Sequence, residues 1–471
     1  MKRYYYIQPK YFKDTSANGT GDFNGISEKI KTIKKNGVDV LIIPNNLFIY
    51  KSAIIEEIIS KEMAYGSWED FKNMIQKLKE NNIKLYLEFK LSQIAEDIDS
   101  FGNLNERINI DTSSYNIQNL EIEKNESYYI TKNDYTKSND DSLESKIGIL
   151  KDIWNFYLQI GISGFVLIFD QNKNLLKKGK TDNSLRALYS NVHSNLADVE
   201  IIYKISNKNY NVFKNSKNKL FDTLILDRIA NLKTKNIAKV IRDILSFEDI
   251  IYNITYLNEK RIIHHYITNR ICNDEIAKML LTILLFNNKK HFLYFGDELG
   301  LNLFNKFKPP FILDVFLDNY FKEDSTKLIY PWNTNFNAGF STSNSIKGVI
   351  ENSYEFNNLK IQKNENNSVL HYFKTISNKF KKNAFQQSFN YKLKTKVSGN
   401  ILELSYQTDD NKLILLANIS EFIIKIKEVG ADCLISSNWK LDINKDKETL
   451  NPFEVLIYTD SSYNRNSYLE H

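Results

Sequence analysis

The chain of 471 residues contains only two cysteines, Cys272 and Cys433, far apart and at no spacing used by metal sites or redox pairs. This excludes a disulfide framework and points to two reduced thiols in a cytoplasmic protein. Nowhere does an apolar run reach the roughly 18 residues of a membrane span. The opening MKRYYYIQPKYF is basic but lacks the roughly 7–15-residue apolar run of a signal peptide. A large excess of one charge is also missing, with 63 Lys and Arg against 57 Asp and Glu, a net charge of +6. Lys and Asn are scattered and form no basic tract, which argues against a nucleic-acid partner. No short-period internal repeat is present. The closing Leu469–Glu470–His471 reads as a tag remnant.

What is present is a globular composition, 42% hydrophobic and 13% aromatic, on a chain long enough for a sizeable core. Short apolar runs alternate with amphipathic segments. YYYIQP, VDVLIIP, IKLYLEFKL, GFVLIF, VEIIYKI, FDTLILD, RIIHH and HFLYF make eight strand candidates, with helical patterns between most of them. GISEKIKTIKKNG reads as a helix ending at Gly37. SWEDFKNMIQKLKENN reads as a helix capped by Ser67, with Asp70 at its third position. VDVLIIP and GFVLIF are almost continuously apolar, as strands covered on both faces are. Eight such units predict a (β/α)8 TIM barrel over 1–91 and 142–385, with a short insertion at 92–141 after strand 3. Beyond about residue 385 the strand runs ILELSYQ, NKLILLANI, FIIKIKEV, DCLISS and FEVLIYT follow without helices. They predict a C-terminal antiparallel β-sandwich over 386–468.

Seven stretches in order carry a family resemblance: YIQPKYFKDTSANGTGDFNGI, NGVDVLIIP, YGSWEDF, GISGFVLIFD, FGDELGL, YPWNTNFNAGFS and LNPFEVLIY. Together they resemble the α-amylase family, glycoside hydrolase family 13, in its oligo-1,6-glucosidase, α-glucosidase and trehalose-phosphate hydrolase branch. The resemblance runs end to end. It implies a retaining α-glucoside hydrolase with two carboxyl groups about 5–5.5 Å apart, a third carboxylate that holds the distorted sugar, and all three at the C-terminal ends of barrel strands.

The residues at those positions depart from the family. The nucleophile position, three residues after Phe165, is Ile168, and the arginine two residues before it is Val166. The acid/base aligns with Lys204 and the third carboxylate with Tyr266. No Asp or Glu occurs from Ile201 to Phe221 or from Lys260 to Asn273, so no modest shift restores either acid. Asp170 lies two residues past Ile168 on the same strand face, the one displaced carboxylate on offer. The family's Asn-His pair aligns with Ser92 and Gln93, and its Tyr-Asp pair with Ala53 and Ile54. His265, with His264 beside it, is the one first-site sugar ligand kept. A cationic Lys204 about 5 Å from a positively charged transition state would cost about 3 kcal/mol at an effective dielectric of 20, roughly two orders of magnitude in rate.

The DTSANGTGD loop places oxygens at alternate positions, Asp14, Ser16, Asn18, the Thr20 carbonyl and Asp22, a pattern able to wrap calcium or to satisfy itself as Asx and Gly turns. Glu88, Asp297 and Glu298 read as scaffold carboxylates. The expectation is a family member that has lost nucleophile, acid/base and third carboxylate. It would be a non-catalytic carbohydrate-related binding or partner protein that requires no cofactor, with a structural calcium ion as one of the two readings of the Asp14 loop. Two alternatives stand beside it. One is an active hydrolase using Asp170, or other chemistry around His264, His265 and Lys204. The other is a scaffold subunit for an active paralogue. The family's non-catalytic amino-acid transporter heavy chains carry a membrane anchor that has no counterpart here, so their role is not carried over.

Overall fold

Val40–Pro44 is buried at every position, as a continuously apolar strand must be when both its faces are covered. The structure is a computed structural model. It describes residues 2–45, 65–90, 108–110, 128–130, 154–155, 157–169, 199–206, 223–228, 250–254, 270–287, 290–301, 328–350, 354–381, 393–407, 412–420, 422–429, 433–437 and 447–460. The strands are β1 (Lys2–Tyr6), β2 (Val40–Pro44), β3 (Lys84–Lys90), β4 (Ile108–Ile110), β5 (Tyr128–Ile130), β6 (Gly164–Phe169), β7 (Glu200–Ser206), β8 (Thr223–Arg228), β9 (Ile250–Ile254) and β10 (Lys290–Tyr294). Strands β1, β2, β3, β6, β7, β8, β9 and β10 follow one another around a closed barrel, while β4 and β5 pair antiparallel outside it. Two compact units divide the chain, one of residues 22–31 and 40–224, the other of residues 1–21, 32–39 and 225–471.

In the first unit β2 pairs with β3, β3 with β6, and β6 with β7, all parallel. Partners in a parallel register share a face, so strand parity sorts the side chains into two layers. Leu85, Leu87, Phe89, Phe165 and Leu167 form one layer. Against it packs the helical turn of Trp154 and Tyr157: the Trp154 ring stacks on Phe165 with centroids 4.3 Å apart, and Phe89 meets both edge-on. The opposite layer, Tyr86, Glu88, Lys90, Val166, Ile168, Glu200, Ile202 and Lys204, therefore faces the barrel interior.

The helix over Trp68–Glu80 buries Phe71, Met74, Ile75 and Leu78, one stripe at helical spacing. Its start is set by a capping box. The Ser67 hydroxyl accepts from the Asp70 amide, and the Asp70 carboxylate accepts from the Ser67 amide at 2.8 Å. Asn24 donates to the same carboxylate. Partial burial pushes the Asp70 pKa up, but the bonds from Ser67 and Asn24 outweigh it and hold the carboxyl below its usual value.

In the second unit the strand candidate Arg261–His265 is corrected. The seventh barrel strand is β9, Ile250–Ile254. Both runs are apolar, but in β9 every residue except Asn253 is β-branched or aromatic, which suits a strand better than paired histidines. Arg261–His265 lies outside the described residues. Tyr4, Tyr6, Phe292 and Tyr294 share the inner layer of β1 and β10. On the outer layer the buried Arg3 donates to the Asn36 carbonyl and to Ser377 Oγ and covers the Phe373 ring. Desolvation by burial pulls its pKa down to about 10, against Asp39 and Glu298, which raise it.

The C-terminal domain is antiparallel, as expected. Its strands are β11 (Leu393–Ser398), β12 (Ile401–Gln407), β13 (Lys412–Asn418), β14 (Ile424–Val429), β15 (Cys433–Ser436), β16 (Lys447–Leu450) and β17 (Val455–Asp460). A five-stranded sheet, β11-β12-β13-β17-β15, faces the pair β14-β16. Ile414, Leu416 and Leu456 of the first and Leu450 of the second share one buried cluster, which Ile426 joins. Among the described residues no helix is long and apolar enough to cross a membrane.

Replacing Ser67 with Ala removes one side of the capping box and is expected to cost about 1 kcal/mol, measured by urea unfolding at pH 7. Because the folded pKa of Asp70 is depressed, its contribution is present above the unfolded value of about 3.9 and is lost as pH falls through the folded one. The gap between wild type and Asp70→Asn should therefore narrow in acid. A gap that stays constant below pH 3 would count against the box.

Candidate functional site

The inner layer of β3, β6 and β7 holds two polar pairs. Near the strand starts the Tyr86 hydroxyl donates to Glu200 Oε2 at 2.9 Å, reaching across β6. Gly164 makes this crossing possible: a Cβ there would lie 2.7 Å from the Tyr86 ring. Toward the C-terminal ends, where barrel proteins place their ligand sites, Lys204 Nζ lies 3.5 Å from Glu88 Oε2. Both residues are buried, Glu88 at 5% and Lys204 at 8% exposure.

The register explains the reach. Glu88 is level with Val166, and Ile168 is level with both Lys204 and Lys90. The Lys204 side chain therefore bends back one step along its strand, across the apolar surface of β6, to meet Glu88. At 3.5 Å and an effective dielectric of 20 the gross attraction is about 5 kcal/mol, but each buried ion forfeits several kcal/mol of hydration. The pair is thus close to neutral for stability as a whole and costly to break from one side.

Of the positions singled out in the sequence, Ile168 is half-buried on the inner layer, Val166 is buried there, and Lys204 meets Glu88. Glu88 was read as scaffold; the structure makes it the counter-ion of Lys204. Lys90 and Glu200 were not singled out, although the i, i+2 spacing of Glu88 and Lys90 in LEFK would have placed both on one face. Ala53, Ile54, Ser92, Gln93, Asp170, His264, His265 and Tyr266 lie outside the described residues.

Asp297 and Glu298 sit in a short 3-10 turn, Asp297–Leu299, after β10. Glu298 is fully buried and accepts from Tyr5 Oη at 2.7 Å, Tyr330 Oη at 2.8 Å and the Gly296 amide. Asp297 accepts from the Tyr294 amide. Burial raises the pKa of both, that of Asp297 well above the usual range, while their hydrogen bonds pull the other way. Bound to the backbone of their own turn and to β1, these carboxylates hold the scaffold together.

The Asp14 loop closes on itself. Asp14 accepts from the Ser16 amide and hydroxyl, the Gly19 amide and the Ser341 hydroxyl. Asn18 Oδ1 accepts from the Thr20 amide, and Asp22 Oδ1 from the Gly25 amide. A Cβ on Gly19 would lie 1.8 Å from the Ser345 carbonyl oxygen, so the loop fits only with glycine there. Among the described residues no group of three or more His, Cys, Asp or Glu is placed to hold a metal ion. The donor set fits a hydrogen-bonded turn. No step of function is routed through an ion at this loop.

The fold is a (β/α)8 barrel with a C-terminal antiparallel domain, its buried ion pair lying toward the C-terminal strand ends. The family model for the α-amylase catalytic domain matches residues 6–154 and 171–388. The chain belongs to the α-amylase family. It is 22% identical to a probable oligo-1,6-glucosidase of Bacillus subtilis, over 96% of this chain and 98% of that one. It is 21% identical to trehalose-6-phosphate hydrolase of the same organism, over 96% of each. Its structure matches isomaltulose synthase from Erwinia rhapontici NX5 with a TM-score of 0.71 at 18% identity, covering 97% of this chain and 98% of that one.

Two outcomes test the site as described. Glu88→Gln and Lys204→Met should each destabilise the protein by about 3–5 kcal/mol, while Glu88→Leu with Lys204→Met should be near neutral. Single variants as stable as wild type in urea would mean that the two charges do not depend on each other. For the loop, millimolar calcium should leave the Tm of metal-stripped protein unchanged. A hundredfold excess over Kd at a true site would add about 2.7 kcal/mol and raise Tm visibly.

Proposed function

We propose that this chain is an α-glucosidase-like member of the family that has lost glycoside hydrolysis and acts as a non-catalytic carbohydrate-related binding or partner protein. The observation that carries this reading is Lys204, paired with Glu88 at the position where the family resemblance calls for the acid/base. Retaining hydrolysis needs a proton donor poised over the glycosidic oxygen and a carboxylate nucleophile opposite it. Ile168 offers no nucleophile. Lys204 brings positive charge to a layer where positive charge develops in the transition state, and the Glu88 contact keeps its amine one step below the strand end.

What this layer retains is the ability to hold a ligand in place. A fixed ammonium and a carboxylate can orient hydroxyl groups without moving a proton between bonds. The two widely separated cysteines support a cytoplasmic setting, and the reading requires no cofactor.

The test is hydrolysis of p-nitrophenyl α-glucoside, maltose, isomaltose and trehalose 6-phosphate by purified protein, beside Asp170→Asn and metal-stripped samples. No turnover above the level of Asp170→Asn is expected. Turnover abolished by Asp170→Asn would overturn the proposal and identify Asp170 as a displaced nucleophile.

A further inference from the structure

Glu275, Lys278, Thr282 and Phe286 recur at steps of three and four along the helix Arg270–Asn287, so they form one stripe. That stripe lies on a seam inside the second unit, between this helix, the helix Val369–Phe380 and the C-terminal domain. At its far end Phe286 meets Tyr406 of β12. Their ring centroids are 5.3 Å apart, and the Tyr406 hydroxyl donates to the Phe286 carbonyl at 3.2 Å. In the middle Thr282 donates to the Lys278 carbonyl at 2.6 Å, which leaves its oxygen to accept from the Tyr372 hydroxyl at 2.7 Å. At the near end the Lys278 ammonium donates to Glu275 Oε1 at 2.9 Å.

The C-terminal domain brings a second carboxylate to this near end. Glu454, just before β17, is 1% exposed and accepts from the Ser436 hydroxyl and from the backbone and side-chain amides of Asn451. Its charge acts on both Glu275 and Tyr372, so the three groups meet across the seam. Among the described residues the charges that act on Glu275 are thus Lys278 and Asp274 from its own helix and Glu454 from the other domain. Burial pushes the Glu275 carboxyl up. Lys278 pulls it down, Asp274 and Glu454 push it up again, and the balance is a raised value. Burial also raises Tyr372, so its hydroxyl stays neutral.

We propose that the Glu275 end of this seam is a proton-operated latch between the barrel and the C-terminal domain. With its proton, Glu275 faces Glu454 as a neutral group and the seam is closed. Without it, Glu275 repels Glu454, and this end loosens while Phe286 and Tyr406 hold the other. Linkage gives the direction. A carboxyl raised in the folded state contributes stability that is fully present below its unfolded value of about 4.3 and is lost as pH rises through the folded one. The latch therefore opens toward alkaline pH. An ordinary helical ion pair predicts the opposite, since the Glu275–Lys278 contact alone would weaken in acid.

The experiment is hydrogen exchange of the full chain, read segment by segment at about pH 5 and about pH 8 and corrected for the intrinsic pH dependence of exchange. Wild type is compared with Glu275→Gln and Lys278→Met, and β2 and β3 serve as the reference. In wild type, the amides of the helix Arg270–Asn287 and of the chain around Glu454 should open several-fold more often at the higher pH. The reference strands should not respond. Glu275→Gln should keep the seam closed at both values. Lys278→Met removes the cation that favours the charged form, so opening should move to higher pH. A Glu275→Gln protein that keeps the wild-type response would overturn the latch, as would a seam that opens in acid or an equal response in β2 and β3. Should Glu275→Gln fail to fold, the wild-type response and Lys278→Met decide, and an opening that stays in place or moves to lower pH in that variant overturns the proposal.

Discussion

A lysine can keep its charge inside a barrel only with a carboxylate within reach, and Glu88 meets that need for Lys204. The rest of this face follows from that contact. β3 and β7 are separated by β6, so the pair must cross a strand, and β6 has to be small or apolar where the side chains pass. It is: Val166 is level with Glu88 and Ile168 with Lys204, both apolar. A larger polar residue on the inner side of β6 would compete for Glu88 or block the crossing.

The outer face of the same strands is built on a different interaction. Phe89 and Phe165 pack against Trp154, with the flat Trp154–Phe165 stack at 4.3 Å. Aromatic packing of this kind tolerates no slip in register, because a shift by one residue would turn Phe165 inward and Val166 out. The outer layer thereby sets which side chains reach the interior. In the other unit the same task falls to polar groups, Glu298 between the Tyr5 and Tyr330 hydroxyls and Arg3 against Asn36 and Ser377. Glu298 is held in another way: the Tyr5 and Tyr330 hydroxyls and the Gly296 amide donate to it.

Much of the fold was legible because its signals are local. The continuous apolar runs of β2 and β6, the Ser67–Asp70 cap and the strand runs of the C-terminal domain depend on neighbours in sequence. β9 was misplaced because two apolar runs, Ile250–Ile254 and Arg261–His265, lie close together, and periodicity does not rank them. β11 and β16 were missed because LKTKVS and KETL are short and mostly polar, while their pairing partners carry the apolar pattern. The site was legible in part. Ile168 and Lys204 could be found by counting along a strand. The role of Glu88 could not, since its partner is more than a hundred residues away in sequence and is fixed only by the register of three strands. The Asp14 loop was ambiguous for a related reason: the same oxygens serve a cation or the loop's own amides, which donate to Asp14 from Ser16 and Gly19.

The ion pair also bears on how far this barrel stands from hydrolysis. Changing Lys204 to Glu would not rebuild a catalytic pair. The new carboxylate would face Glu88 with no cation between them, and two buried like charges push one of the pair toward its protonated form. Opposite it, Ile168 would still supply no nucleophile. Restoring Asp at 168 alone would leave that carboxylate level with Lys204 and able to draw the ammonium away from Glu88, with no proton donor poised for the leaving group. Either single change therefore upsets the charge balance of the pair without completing the second half of the reaction. Recovery of the chemistry would require both positions to change together and Glu88 to find a new partner. This mutual dependence gives the pair a physical reason to persist: each charge is costly to lose while the other remains.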